Sequence, residues 1–247
     1  MDKLADFVKE RGFKNYPNEA CGLIYSDKVG KPHFVECKNA SLEPRHNFLI
    51  DPNEYLEIEK LGEVVGCWHT HCEAAPKASE ADKQGFKNTQ VPWFIGAVFK
   101  KEHGFEFEGL TLVEVDDDYE APLIGRTYTF GVFDCFSLMR DFYKREMHIE
   151  LPDLPRAERA WTSEPDYMAR RAQDTFDLVR LPENAVLQRG DIFLIQTGVE
   201  GADHIGIYLG DDRILHQMRN RLSRMDIYGG SYWQEHTLSR WRHKTLC

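Results

Sequence analysis

Short apolar runs alternate with amphipathic stretches over roughly the first 115 residues. The runs "EACGLIYS" (19–26), "PHFVEC" (32–37), "EVVGCW" (63–68), "WFIGAVF" (93–99) and "LTLVEV" (110–115) carry the β-branched and aromatic enrichment of strands. Between them, residues 2–12, 52–62 and 79–90 place apolar side chains at helical spacing. The first helix groups Leu4, Phe7 and Val8 on one side, and Asp51-Pro52 supplies the second with a cap and a first-turn proline. This order predicts a mixed α/β unit.

The pattern then breaks at "VDDDYEAPLIGR" (115–126), an acidic run with a proline and a glycine and little to bury. The expected organisation is one domain over 1–117, a linker over 118–126 and a second domain over 127–247. In the second domain a helix is predicted at 135–147, a proline-rich stretch follows at 150–161, and another helix lies near 164–179. Strand signals come afterwards in "DIFLIQ", "HIGIYLG" and "RILHQ". Helices first and a hairpin-rich sheet later predict an α+β fold. No internal repeat interrupts either half.

With 42% apolar residues, the 247-residue chain can build a core in each domain. A net charge of −10 argues against nucleic acid as the main partner, because phosphate binding needs a basic surface. Apolar runs are far shorter than a membrane span, and "MDKLADFVKERGFKNY" lacks the uninterrupted apolar stretch of a secretory signal. Six cysteines, at 21, 37, 67, 72, 135 and 247, form no dense framework and suit a reducing compartment such as the cytoplasm.

"GCWHTHCEAAPKASEAD" holds the first candidate chemistry. Alternate side chains of a strand share a face, so His69 and His71 project together at its end. Asp82, entering from the next helix, makes the third member of a zinc site that leaves one position to water. Ser79-x-x-Asp82 reads equally as a helix capping box. A distant residue bears on the choice: Glu19 leads into an apolar strand, and a carboxylate near such a metal is what takes a proton from the attacking water. The set of Glu19, His69-x-His71, seven residues and Ser79-x-x-Asp82 resembles the motif of JAMM (MPN-type) metallopeptidases. That resemblance implies a mixed sheet with flanking helices, with Zn²⁺ on His69, His71 and Asp82. It also implies Glu19 as general base, Ser79 as donor to the oxyanion, and cleavage of peptide or isopeptide bonds. Cys72 stands where that family usually has proline.

The second constellation begins at Cys135, directly after the favoured N-cap residue Asp134. A thiol at a helix start feels the positive end of the dipole, which favours thiolate; a buried core cysteine is the bland alternative. "DHIGIYLGDDRILHQ" reads as a hairpin that brings His204 and His216 to one face, opposite or diagonal. One imidazole can then serve as base and the other fix its tautomer, or both can be ordinary sheet residues. "FDC", "HIGIYLGD" and the histidine twelve residues on resemble the NlpC-type, papain-like cysteine peptidases, as does "LQRGDIFLI". By that resemblance Cys135 is the nucleophile, His204 the base and His216 the orienting residue. Tyr128 of "TYTFG" lines the site, and backbone amides at the helix start form the oxyanion hole. The family usually has serine where this chain has Phe136. Its enzymes cut cell-wall stem peptides, commonly at the γ-D-glutamyl–diaminopimelyl bond.

A JAMM domain followed by an NlpC domain in a chain of this length resembles the tail-tip assembly proteins of lambdoid phages. The resemblance implies synthesis in the host cytoplasm, other tail-tip proteins as partners, and a place at the virion tail tip acting on the periplasmic wall. It also leaves room for a mainly structural assembly factor whose catalytic sites are idle or used once.

Overall fold

The computed structural model describes residues 2–154, 167–230 and 232–247. The chain divides into two compact units, Met1–Tyr119 and Glu120–Cys247.

The first unit is a five-stranded sheet in the order β2-β1-β3-β4-β5, built from β1 (Cys21–Ser26), β2 (Pro32–Cys37), β3 (Glu63–Cys72), β4 (Trp93–Lys101) and β5 (Gly104–Leu112). Only β3 and β4 run parallel. A parallel neighbour needs a crossover, and helix α3 (Glu80–Thr89) supplies it. Strand β3 is covered on both faces. Trp68 packs with Leu4 and Val8 of α1 (Asp2–Asn15). Cys67 on the alternate face packs with Ile58 of α2 (Pro52–Glu59) and Phe86 of α3. Gly12 explains how closely α1 approaches: a Cβ there would lie 2.7 Å from Val98 Cγ2 and 3.1 Å from Thr70 Cγ2. A helix-interior glycine costs about 0.5–1 kcal/mol, which this close contact offsets. Cys67, His69 and His71 share parity, so both histidines face α3.

The expected strands and helices of this half are present, with one shift. Strand β5 begins at Gly104, ahead of the expected 110–115, because "GFEFEG" belongs to an exposed edge strand whose charged outward positions hide the alternation. Val113 is buried beyond the strand's end.

The second unit is a six-stranded antiparallel sheet in the order β10-β9-β8-β7-β11-β6. Its strands are β6 (Leu178–Arg180), β7 (Ile192–Ile195), β8 (His204–Gly210), β9 (Arg213–His216), β10 (Arg224–Ile227) and β11 (Thr237–His243). Helix α4 (Cys135–Phe142) lays Leu138, Met139 and Phe142 on Ile192, Leu194, Ile205 and Ile207. Helix α5 (Tyr167–Thr175) adds Met168 and Ala172 to the same layer. The helix expected near 164–179 therefore ends at Thr175, and its first residues, like 155–161 of the proline-rich stretch, lie outside the described residues. The helix expected over 135–147 finishes as one π-helical turn, Tyr143–Met147. The opposite sheet face packs Phe193, Tyr208, Ile214 and Tyr228 against Trp233 of the short helix α6 (Tyr232–Glu235).

Strand β11, not foreseen from the sequence, sits between β7 and β6. Its Arg242 makes a bidentate pair with buried Asp191, at 2.7 and 2.8 Å. Within the segment expected as linker, Ala121 and Arg126 are buried in the second unit, where Arg126 pairs with Asp141 at 2.6 Å. No helix among the described residues is long and apolar enough to cross a membrane.

Candidate active sites

The first candidate site lies where β3 ends. Strand β1 pairs with β3 in the register Cys21↔His69. Carried past the strand end, that register sets Glu19 across from His71. Two bonds lock it: Thr70 N donates to Ala20 O and Ala20 N to Thr70 Oγ1, both at 2.9 Å. From the other side, α3 brings Asp82 in its first turn. Ser79 caps the helix: Asp82 N donates to Ser79 Oγ at 3.2 Å, and Ser79 N donates to Asp82 Oδ2 at 2.7 Å. The capping box is therefore what aims the carboxylate, and capping and ligation are compatible roles of one residue.

Three potential ligand residues converge, two imidazoles and one carboxylate. His69 Nε2 is 3.2 Å from His71 Nε2 and 3.2 Å from Asp82 Oδ1, and His71 Nε2 is 3.4 Å from Asp82 Oδ2. The edge of a tetrahedron around zinc with ligand bonds of ~2.0–2.1 Å is about 3.3 Å, so the cage fits that ion. His71 Nδ1 donates to Ala75 O at 3.0 Å, so in the neutral ring the lone pair is on Nε2, facing the cage, the tautomer a metal needs. His69 Nδ1 is buried without a partner among the described residues. Its ring is instead held by packing, stacked on Phe48 at 4.5 Å and set edge-on to Trp93 at 6.0 Å.

Charges in the cage follow from burial and proximity. Burial pushes the Glu19 carboxyl up to about 7, against the pull of both imidazoles. Burial also opposes ionisation of Asp82, but the imidazoles and the Ser79 hydrogen bond outweigh it and hold that carboxyl well below the usual range. Burial would lower His71, yet its bonds to Asp82 and Ala75 win and raise it. Cys72 stands outside this cluster. Its Sγ reaches Asn18 O at 3.5 Å, and burial first, then Glu19 and Glu73, push the thiol up to about 12.

The second candidate site is a cleft lined by Tyr128, Cys135, His204 and Arg219, among others. Cys135 opens α4 beneath Asp134, whose Oδ1 accepts from Ser137 N at 2.8 Å and whose Oδ2 accepts from Gly131 N at 3.0 Å. Phe136, in the position usually serine, is core: its ring packs on Phe176 at 5.3 Å. In the hairpin, Gly206 pairs with His216, so His204 and His216 are diagonal neighbours on one face. His204 Nε2 meets His216 Nδ1 at 3.1 Å, and His216 Nε2 meets Asp226 Oδ2 at 3.0 Å. His216 stands behind His204, away from the residues that line the cleft. Asp226, Arg224 and Trp233 complete this cluster and were not singled out from sequence; the only signal was the period-two placement of Arg224 and Asp226 in "RMDI", which reads as a solvated strand face.

Burial, then the charge His216 would carry, push His204 down to about 3. The stability consequence follows by linkage. An unfolded histidine binds a proton below about pH 6.5, whereas native His204 refuses it until about pH 3. Its contribution is thus complete above pH 6.5 and lost as pH falls. Between pH 7 and pH 5 the wild-type chain should lose about 2 kcal/mol more stability than His204→Gln, read from urea midpoints at the two pH values.

Comparison with known proteins agrees with this two-part geometry. The profile of prokaryotic homologs of the JAB domain matches residues 2–108, and that of the NlpC/P60 family matches residues 125–242. Tail tip assembly protein K of Escherichia phage N15 is 30% identical over 245 residues, covering 99% of this chain and 96% of the relative. The protein of the same name from Escherichia phage lambda is 31% identical over 198 residues, or 79% of this chain and 89% of the relative. A desampylase of Haloferax volcanii is 30% identical over 92 residues, 34% of this chain and 65% of the relative. With relatives of this likeness over 99% and 79% of its length, the chain is a phage tail protein built of two peptidase-family domains and belongs to the tail tip assembly protein K family.

Proposed function

We propose that the C-terminal unit is a cysteine endopeptidase that cuts peptidoglycan stem peptides during penetration, and that the N-terminal unit is a zinc-dependent peptidase acting on peptide or isopeptide bonds. The observation that carries the first half is the sharing of one cleft by Cys135 and His204, with the far nitrogen of His204 already engaged by His216 at 3.1 Å. In this reading His204 Nδ1 takes the thiol proton of Cys135, favoured as thiolate by the start of α4. The sulfur attacks the scissile carbonyl, and backbone amides at the helix start receive the developing oxyanion. His204 returns the proton to the leaving amine, then takes one from the water that hydrolyses the thioester. Tyr128 lines the substrate side of the cleft.

In the N-terminal unit His69, His71 and Asp82 would hold the ion, which when bound supplies a Lewis acid that polarises a carbonyl and acidifies water. Glu19, raised to about 7 by burial, is poised to accept a proton and pass it to a leaving nitrogen near neutrality. Ser79 Oγ accepts from the Asp82 amide, so its hydroxyl hydrogen is the group left to donate to an oxyanion. A tail protein processed during assembly and the wall itself are both chemically suitable substrates.

The relatives' name favours a second reading, an assembly factor with idle or single-use sites. Phage carrying Cys135→Ala separate the two. The proposal expects normal particle numbers that adsorb to cells and fail to deliver DNA, with infectivity down by at least about 100-fold. Defective particles from cells bearing the same substitution would favour assembly instead. In the peptidase reading the protein is made in the host cytoplasm, joins other tail-tip proteins and acts on the periplasmic wall.

A further inference from the structure

We infer that Asp226 is a positioning residue of the cysteine site, fixing the tautomer of His204 through His216. The inference rests on the cysteine peptidase reading and adds to it a carboxylate two residues removed from the thiol.

Donors and acceptors fix the direction of each bond. Asp226 Oδ2 is met by Arg224 Nε at 3.1 Å, Arg224 Nη2 at 2.8 Å, Trp233 Nε1 at 3.2 Å and His216 Nε2 at 3.0 Å. Guanidinium and indole nitrogens only donate, so this oxygen must accept, and the His216 contact is necessarily a donation from Nε2–H. A neutral His216 then offers its Nδ1 lone pair, which accepts from His204 Nε2–H across 3.1 Å. The remaining nitrogen of His204, Nδ1, is left with its lone pair, as a base for Cys135 requires. Both rings are neutral near pH 7, because burial lowers each of them.

Every group facing this chain agrees with that direction. His216 is met by Asp226 from β10, by His204 from β8 and by the Trp233 ring of α6, whose centroid lies 4.3 Å away. Burial opposes ionisation of Asp226, but the hydrogen bonds from His216 and Arg224 outweigh it and hold the carboxyl below its usual range. His204 and His216 are nearly inaccessible, at 3% and 1% exposure, so water competes little for their nitrogens. Asp226 sits at the outer end, on the edge strand, with 23% of its side chain exposed. It anchors the relay from outside the cleft.

Two substitutions separate positioning from mere structure. In Asp226→Asn the amide oxygen can take the same donors, so the tautomers persist and only the charge is lost. In Asp226→Leu no acceptor remains, and His216 is free to carry its proton on Nδ1 and donate it to His204 Nε2, which leaves the single ring proton of His204 on Nδ1, facing the thiol. Where an orienting carboxylate touches the catalytic histidine directly, losing its tautomer control costs about 10⁴-fold in kcat. Here an imidazole intervenes, and Asp226→Leu is expected to lower kcat on a stem-peptide substrate by about 10- to 100-fold with little change in KM, while Asp226→Asn stays within about tenfold of wild type.

The measurement is ¹⁵N NMR of the histidine rings in the full chain at pH 7.5, alongside kcat and the rate at which iodoacetamide alkylates Cys135, followed by mass spectrometry of the Cys135 peptide. The expected result is Nε2–H on both rings in wild type and Asp226→Asn, a shift toward Nδ1–H in Asp226→Leu, and the slowest alkylation and turnover in that variant. Unchanged tautomers in Asp226→Leu, or equal losses in both variants, would overturn the inference. If wild type hydrolyses no stem peptide, the peptidase reading fails, and the NMR and alkylation results still decide the relay.

Discussion

Replacing Cys135 with alanine is expected to lower hydrolysis of a stem-peptide substrate by the purified chain by at least about 10⁴-fold, with the fold intact. The size follows from what the thiol does. Nucleophilic attack splits amide hydrolysis into two easier steps, and no other side chain lining this cleft can form the thioester. The lining offers Tyr128, Thr197, Asp203 and Arg219 besides His204, none of which is a thiol. His204→Ala should cost nearly as much, because at neutral pH the thiol then lacks its proton acceptor. The double variant should be little worse than either single one, since residues that act as a unit are not additive. Stability should hardly change in Cys135→Ala: the site is a helix's first residue, alanine suits it, and Asp134 and Ser137 keep the cap. Steady-state kinetics with thermal melts checks both parts. A variant retaining more than about a tenth of wild-type turnover would exclude Cys135 as nucleophile.

The second large effect concerns the metal. Chain purified in the presence of zinc should carry about one ion, and Asp82→Asn should reduce this below about a tenth, because a neutral amide is a poor ligand for the cation. The substitution is chosen to spare the fold: an amide oxygen can still accept from Ser79 N, the bond now made at 2.7 Å. Ser79→Ala makes the reverse cut. It removes the capping hydroxyl at a cost of about 1 kcal/mol and leaves the ligands in place, so zinc content should persist while the melting temperature drops. Elemental analysis and calorimetry on the two variants separate capping from coordination. Both variants losing zinc equally would mean that the cap, rather than the carboxylate, is what the ion depends on.

Much of the site was legible because its chemistry is carried by residue types at fixed spacing. His69 and His71 alternate in a strand, and Ser79 and Asp82 open a helix; local geometry alone aims each pair. Meeting between the pairs is a matter of sheet order, which spacing does not encode. It needed the parallel β3–α3–β4 crossover and the Cys21↔His69 register. The hairpin of His204 and His216 was likewise local, and its diagonal register was one of two open alternatives. Asp226 was illegible for a physical reason: on an edge strand whose Met225 and Ile227 point outward, exposed at 46% and 68%, the apolar signal is inverted and the charged residues face the site. Strand β11 was missed for a similar cause, since "TLSRWRH" places Arg242 inside, where only the pairing with distant Asp191 makes a buried guanidinium tolerable.

Digestion of purified sacculi by the intact chain, with released fragments identified by mass spectrometry, decides whether the protein is a wall peptidase. Cleavage is expected inside stem peptides, giving new amine and carboxylate ends while the glycan strands stay whole, and none from Cys135→Ala. Sacculi whose stem peptides all survive prolonged digestion with folded, reduced protein would contradict it.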